Sequence, residues 1–508
     1  MLLTSAYIIN PSLKPNKPHP IEEDHQDAKL LFYHPEEFQI NDKRSHVGIS
    51  EGVVQFFGLF AETKGYMVIN SQNYTHVMKE VEPNYWLNLI FFHRELFDQA
   101  EAELGSKPPT KFAQIEDSFY EVIISHCYSL YCLFHCSFDK LFKEQSREDA
   151  SVLLKDFFVT YAKEYVNSNT IDYFPWNFNG FCYCPIDKKN FMRTQLFLNR
   201  IKEKFTFVKY TLLLYSNYII FNDMPSACAK VLYTYLTGVT ERRPKVKPKL
   251  FSYDSPAMNE FRSKREKALS SNPSSGAEKK AEVIPIDSEP YSAAFKFWQI
   301  ETSDKNGFLL GPSVASSVQN PAVPAPIQNI YVYMPKIYIE GQSYRLCIYT
   351  VVGLIVCLVL EDKEELLTDL KLLNKLSNHL KRKAIDLCRI LMQSIKKNED
   401  LPDAYQYYYY NYVNNAIKIS SKLTNEELRK YELSVILNNL HECMNPNSRL
   451  GKDNTTLCAY KTKDYWIVTF KILDREICVL LSPMLSIEKV EEERLKFKQM
   501  YFSSIFVL

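Results

Sequence analysis

At 508 residues the chain is too long for one ordinary core and implies roughly three units of about 100–200 residues each. Its 46% hydrophobic and 24% charged content, with 61 Lys plus Arg nearly cancelling 60 Asp plus Glu, is that of a soluble globular protein and leaves nothing to attract nucleic acid. Only 13 Gly against 34 Tyr and 32 Phe indicates packing through large aromatics and argues against glycine-rich loops that cradle phosphates.

Residues 3–10 and 29–33 read as short strands joined through a connection with Pro11, Pro15, Pro18 and Pro20. Residues 45–62 place Ile49, Val53, Phe56, Phe57 and Phe60 at the spacing of one helical face, with Ser45 as N-cap, and this stripe is expected to face the unit's own sheet. Three strands follow at 66–70, 74–81 and 85–92, then two long helices at 118–143 and 147–166. A second pass begins near Gly180, with a helix at 189–205, a two-strand meander over 208–221 and a helix opened by Pro225. From 238 to about 290 the composition turns to Pro, Ser and charge, which reads as a disordered linker. Strands resume at 328–333, 344–349 and 354–360, before a helix at 363–397. The apolar run 346–360 spans too few residues for a membrane helix, which needs about 20, and reads as two buried strands around a turn near Gly353. The last unit holds β-like segments around 405–419, a helix at 425–444, a meander at 457–460, 465–470 and 477–481, and a closing helix from Ser486.

The order of two strands, a helix, about three strands and one or two helices thus occurs three times. It predicts an α/β (α+β) protein of three units at 1–170, 171–400 and 401–508, each a five-stranded, mainly antiparallel sheet flanked by helices on both faces.

Several stretches resemble the Ccz family, whose members carry longin domains: residues 29–35 (KLLFYHP), 47–56 (VGISEGVVQF), 127–134 (CYSLYCLF), 208–211 (VKYT) and 464–468 (DYWIV). The resemblance spans residues 29 to 508. It implies three longin domains, an obligate heterodimer with a Mon-type longin subunit, and guanine-nucleotide exchange toward a late-endosomal Rab GTPase of the Rab-seven class in endosome maturation and vacuole fusion. In animals it further implies a third, scaffold-like subunit. The competing expectation is a longin-type trafficking scaffold or adaptor without exchange activity.

Recognisable covalent chemistry is missing from the sequence. Gly451-Lys452-Asp453 lacks the upstream Gly and the hydroxyl of a P-loop, and His441-Glu442 is not followed by the second His of a zinc protease. His126, Cys127, Cys132, His135 and Cys136 share one helix, but free Cys is so often buried that structural thiols are the better reading, and neither catalytic residue, metal nor cofactor is expected. The twelve Cys and the absence of a basic N-terminal leader fit a cytoplasmic chain with reduced thiols. Arg242, Arg243, Lys245, Lys247 and Lys249, without an intervening acid, read as a solvated linker or as a minor aid to peripheral contact with anionic late-endosomal and lysosomal membranes.

The helix at 45–62 holds Gly48, Gly52 and Gly58, each costing about 1 kcal/mol relative to Ala. They are either tolerated imperfections or points of close backbone approach, and the resemblance favours approach by the Mon-type partner. With Ile49, Val53 and Phe56 assigned inward, the outward faces fall to Val47, Gly48, Glu51, Gly52, Val54, Gln55 and Gly58. These residues and the edge strand represented by Tyr66, Val68 and Asn70 form the expected surface for partner and GTPase.

Overall fold

The computed structural model describes residues 2–60, 65–71, 74–92, 117–162, 166, 180–184, 186–215, 218–242, 307–308, 310–312, 330–332, 334–351, 353–363, 370–399, 404–420, 422–423, 431–444 and 457–502. Among these lie three mainly antiparallel sheets of five, six and six strands, flanked by helices, an α+β architecture.

The first sheet is built from β1 (Leu2–Ile9), β2 (Leu30–His34), β3 (Tyr66–Asn70), β4 (Tyr74–Glu82) and β5 (Tyr85–Phe92), in the order β2-β1-β5-β4-β3. Helices α1 (Glu22–Lys29) and α2 (Ile40–Phe60) belong to one side, and α3 (Asp117–His135), α4 (Phe138–Glu144) and α5 (Arg147–Tyr161) to the other. Period-two alternation sorts the faces. On β5, Leu87, Leu89 and Phe91 join the core with α3, whereas Trp86 and Ile90 join Val47 of α2. Two boundaries differ from the sequence reading. Helix α2 begins at Ile40, so Ser45 lies inside it, its hydroxyl donating to Asn41 O at 2.9 Å instead of capping. The helix expected over 118–143 breaks at Cys136, which adopts φ +71°, and restarts as α4 with Ser137 Oγ accepting from Lys140 N.

The second unit contains α6 (Lys188–Lys204), β7 (Val208–Tyr215), β8 (Tyr218–Asn222), α7 (Ser226–Arg242), β9 (Gly307–Phe308), β12 (Lys336–Ile339), β13 (Gln342–Val351), β14 (Leu354–Glu361) and α8 (Leu370–Glu399). Its sheet runs β12-β13-β14-β7-β8, with β9 paired to β13, while β10 (Leu310–Pro312) and β11 (Ile330–Val332) pair separately. The apolar run at 346–360 is the β13–β14 hairpin, buried on both faces: Ile355, Cys357 and Val359 meet the core shared with α7, and Leu354, Val356, Leu358 and Leu360 meet α6 and α8. Helix α7 continues through Arg242, into the segment assigned to the linker; residues 243–290 lie outside the described residues.

The third sheet comprises β15 (Gln406–Asn411), β16 (Ala416–Ile419), β17 (Leu457–Lys461), β18 (Trp466–Ile472), β19 (Arg475–Leu481) and β6 (Phe181–Cys182), in the order β17-β18-β19-β15-β16-β6. Helices α9 (Tyr431–Met444) and α10 (Ile487–Phe502) cover its two faces. The sixth strand comes from far back in the chain. Phe181 and Cys182 run parallel to Ala416 and Ile417, and the next residue, Tyr183, bridges to Ile219 of the second sheet, so residues 181–183 tie the second and third sheets together. Gly180 permits this approach, because a Cβ there would stand 3.1 Å from both Asn415 O and the Ile417 Cβ.

Helix α3 joins the first and second units. From Tyr120 to His135 none of its residues is exposed, and Ile123, Ile124, Cys127, Leu130, Tyr131, Leu133 and Phe134 enter one continuous core with sheet residues of both units. At about 1.5–3 kcal/mol per buried side chain, those seven contribute gross stabilisation on the order of 10–20 kcal/mol before entropy. His126 pins the joint: one ring nitrogen lies 3.2 Å from Tyr161 OH on α5 and the other 3.0 Å from Thr234 Oγ1 on α7. Burial, with Lys230 nearby, holds the imidazole down at about 3, against an ordinary 6.5. The unfolded chain therefore takes up this proton first, and the stability that neutral His126 contributes is complete above pH 6.5 and is lost progressively as pH falls toward 3. Thermal melts should show a midpoint that declines from about pH 7 to about pH 5, and His126→Asn should lower the midpoint at neutral pH while flattening that decline. An unchanged slope in the variant would contradict this role.

Candidate partner interface

Helix α2 sits on the first sheet through a polar contact. Ser50 is buried, its Oγ donates to His46 O at 2.9 Å, and that leaves the oxygen to accept from Tyr7 OH at 2.7 Å; Asn88 Oδ1 is 3.5 Å away. His46 Nδ1 meets Tyr33 OH at 2.7 Å, and its ring stacks on Tyr7 and Tyr33. Burial pushes the Tyr7 phenol far up and the His46 imidazole down, so both are neutral hydrogen-bonding groups at neutral pH. Ion pairs fix the helix sideways: Arg44 to Asp27 and Glu23 of α1, and Lys29 Nζ to Glu51 Oε1 at 2.5 Å. The Arg44 guanidinium holds Asp27 below the usual carboxylate range.

This docking rotates α2 away from the expected orientation. Val47, placed outward from the sequence, is 1% exposed and belongs to the core, and Val54 is half-buried against the same cluster with Val53. Glu51 is turned to Lys29, and Gln55 Nε2 in turn donates to Glu51 Oε1 at 3.3 Å. Conversely, Ile49 and Phe56, assigned to the core, are 52% and 58% exposed. The physical reason is the sheet itself. Its face toward α2 presents the Tyr7 and Tyr33 hydroxyls and Asn88, which must find partners when buried. The helix answers with Ser50 and His46, and the apolar side chains on another face are left outside.

Gly52 and Gln55 are exposed as expected, and with Ile49 and Phe56 they make the exposed face of α2, on which Ile49, Gly52 and Phe56 stand at i, i+3 and i+7. Gly52 is exposed, and a Cβ there would meet nothing within 4 Å, so no internal packing demands glycine at this point. Gly48 lies beside α1, where a Cβ would stand 3.4 Å from Gln26 Nε2. Gly58 falls on the helix, but its surroundings and the side chains of Phe57 and Phe60 lie outside the described residues. Among the described residues strand β3 is the edge of its sheet, paired to β4, as the sequence suggested. Met67 and Ile69 face the α2 side and Val68 the α3 side; Tyr66 is half-buried, and exposed Asn70 accepts from Thr75 Oγ1 at 2.7 Å. Of the basic cluster, Arg242 ends α7, and Arg243, Lys245, Lys247 and Lys249 lie outside the described residues.

One cluster elsewhere has acid–base character. Glu476 on β19 accepts from Tyr408 OH, Tyr412 OH and His441 Nδ1, the last at 2.7 Å, but Glu476 is fully buried and His441 only 7% exposed, which leaves no room for a substrate. Among the described residues no group of three or more His, Cys, Asp or Glu is placed to hold a metal ion, and no helix is long and apolar enough to cross a membrane.

Sequence reasoning missed Ser50, Tyr7 and His46 as determinants of this surface. The available signal was the spacing of Val47, Ser50 and Val54, a second helical face that hydrophobicity alone ranks below Ile49–Val53–Phe56. Ser50→Ala should strand the Tyr7 hydroxyl and destabilise the chain by about 1–3 kcal/mol in denaturant titration, whereas a surface residue would cost less than about 0.5 kcal/mol.

Comparison with known proteins bears on this same unit. Residues 15–136 match the family described as the first longin domain of INTU, CCZ1 and HPS4. Over its full length the chain is 25% identical to the vacuolar fusion protein CCZ1 homolog of Danio rerio, covering 96% of that protein. It is 26% identical, again over its full length, to the one from Xenopus tropicalis, covering 97%, and 21% identical to the one from Dictyostelium discoideum over 96% of this chain. The longin match lies on the unit that carries α2, and the alignment with these relatives runs through all three sheets. The chain is thus similar over its full length to vacuolar fusion protein CCZ1 homologs, and its first unit matches the longin family they share.

Proposed function

We propose that the chain is a vacuolar fusion protein that works as the non-enzymatic subunit of a guanine-nucleotide exchange complex, paired with a Mon-type longin subunit and acting on a late-endosomal Rab GTPase. The observation that carries the pairing is the exposed face of α2, where Ile49 and Phe56 stand on either side of an open Gly52, next to the edge strand β3. Large apolar groups are costly to leave in water, an edge strand is a ready site for a partner, and glycine lets a partner approach the helix backbone. The names of the relatives supply the link to vacuolar fusion.

Exchange needs no covalent step. A factor that binds the nucleotide-free GTPase better than the loaded form weakens nucleotide binding reciprocally, so shape and surface suffice. In this reading α2 and β3 complete a composite surface with the partner, and that surface receives the GTPase. The complex works in the cytoplasm and is recruited peripherally to late endosomes and lysosomes, with a third, scaffold-like subunit in animals.

Charging the corrected face is the test. A buried Ile or Phe is worth about 1.5–3 kcal/mol, so Gly52→Glu with Phe56→Asp should weaken association with the Mon-type subunit by more than about a hundredfold. Co-purification should be lost and labelled-nucleotide release from the Rab should fall to its intrinsic rate, with the melting midpoint of the isolated chain unchanged. Full exchange by this variant would place the interface elsewhere. Intact pairing by the wild type with no acceleration of release from any Rab would make the chain an adaptor instead.

A further inference from the structure

The seating of α2 encloses two imidazoles whose meeting the pairing reading does not use. His46 on α2 and His76 on β4 face each other edge to face across the junction of helix and sheet, with ring centroids 5.9 Å apart. Both are half-buried. Strand β4 lies beside the β3 edge, so the pair stands between the sheet and the helix that presents Ile49, Gly52 and Phe56. His46 is also where the polar attachment of α2 is fastened. Its Nδ1 meets Tyr33 OH at 2.7 Å, and its backbone oxygen accepts from Ser50 Oγ, which in turn accepts from Tyr7 OH. A shift of His46 away from His76 pulls on both tyrosine contacts.

Little around the pair balances a positive charge. On α2 the ions nearby are Asp42, one turn before His46, and Lys43, whose Nζ lies 5.6 Å from the centre of the Tyr33 ring; they act in opposite directions. Strands β1 and β2 contribute the neutral phenols Tyr7 and Tyr33. From β3, β4 and β5 come Met67, Ile69, Met78, Trp86, Asn88 and Ile90, none of which ionises. The carboxylates of Asp27 and Glu23 on α1 are engaged with Arg44, and that of Glu51 with Lys29. Burial holds both imidazoles below their ordinary 6.5; His46 pushes His76 further down, and Asp42 acts upward on His46.

We propose that His46 and His76 form a proton-operated latch on α2: with both rings neutral the helix stays seated on the sheet, and proton uptake drives the rings apart and unseats it. The ligand is the proton, and the signal is a fall in the pH around the chain. Two unit charges at this separation near a protein surface repel by an amount worth roughly a hundredfold in an equilibrium constant. Because both groups are held low in the folded chain, the seating they support is complete above pH 6.5 and is lost as pH falls below it. The consequence for function rests on the pairing reading: acid withdraws Ile49, Gly52 and Phe56 from the Mon-type subunit.

Hydrogen–deuterium exchange of the full chain at about pH 7.5 and about pH 5.5, corrected for the intrinsic pH dependence of exchange, tests the latch without the partner. Protection of Ile40–Phe60 should fall at least about tenfold at the lower pH relative to the central strand Leu354–Glu361. His76→Phe keeps a ring against His46 and cannot take a proton, so its α2 should be equally protected at both pH values. His46→Asn, whose amide oxygen can still accept from Tyr33 OH, should behave the same way. Equal protection of α2 at the two pH values in the wild type overturns the proposal, and so does a fall in His76→Phe as large as in the wild type. Affinity for the Mon-type subunit is measured alongside. Weaker pairing at the lower pH in the wild type, but not in His76→Phe, supports latch and pairing together. The same loss of α2 protection with unchanged affinity supports the latch and removes the partner from α2.

Discussion

The enclosure of α3 constrains everything around it. A helix with no exposed residue between Tyr120 and His135 must be covered on all sides, and one five-stranded sheet covers only one of them. Helices α4 and α5 of the first unit cover part of the rest, through Phe138, Phe157 and Tyr161, and the second unit closes the enclosure through α7 and β12, so that the two units share a single core. One face of each sheet is committed to this joint. The far face of the first sheet carries α2, beside the β3 edge, and the far face of the second carries α6 and α8.

Within the first unit, a hydroxyl decides which side of α2 is presented. Tyr7 sits on β1, buried, with a phenol whose ionisation burial opposes and which must be hydrogen-bonded. Ser50 meets that need, and because a helix is rigid, fixing Ser50 inward fixes Ile49, Gly52 and Phe56 outward. Burying Ile49 and Phe56 in its place would gain apolar area but orphan two or three polar groups, each at a cost of about 1–3 kcal/mol. The observed orientation resolves that competition, and it makes an apolar surface available to a partner.

The parts legible in the sequence were those governed by strict periodicity. Strands β3 and β5 begin and end where their apolar runs do, and the β13–β14 hairpin was readable from an apolar run too short to span a bilayer. Helix boundaries were less legible. Nothing between residues 11 and 28 is apolar enough to announce α1, which is held in place by Asp27 and Glu23 binding Arg44. The strand at Phe181–Cys182 was invisible because its partners lie far ahead in the chain, and only tertiary contact with Ala416 and Ile417 makes it a strand. The candidate surface was partly legible: β3 is an edge strand and Gly52 and Gln55 are exposed, as expected, but hydrophobic spacing put Val47 outward and Ile49 and Phe56 inward, since it counts apolar residues and ignores what the opposing sheet needs.

The central claim is that the face of α2 freed by this packing receives the Mon-type subunit. Hydrogen–deuterium exchange of the chain alone and in the reconstituted complex tests it directly, peptide by peptide. Slower exchange across Ile40–Phe60 and Tyr66–Asn70 on complex formation, with Lys188–Lys204 unchanged, is the predicted result. Protection confined to the second or third unit, with α2 and β3 exchanging as in the free chain, would contradict it.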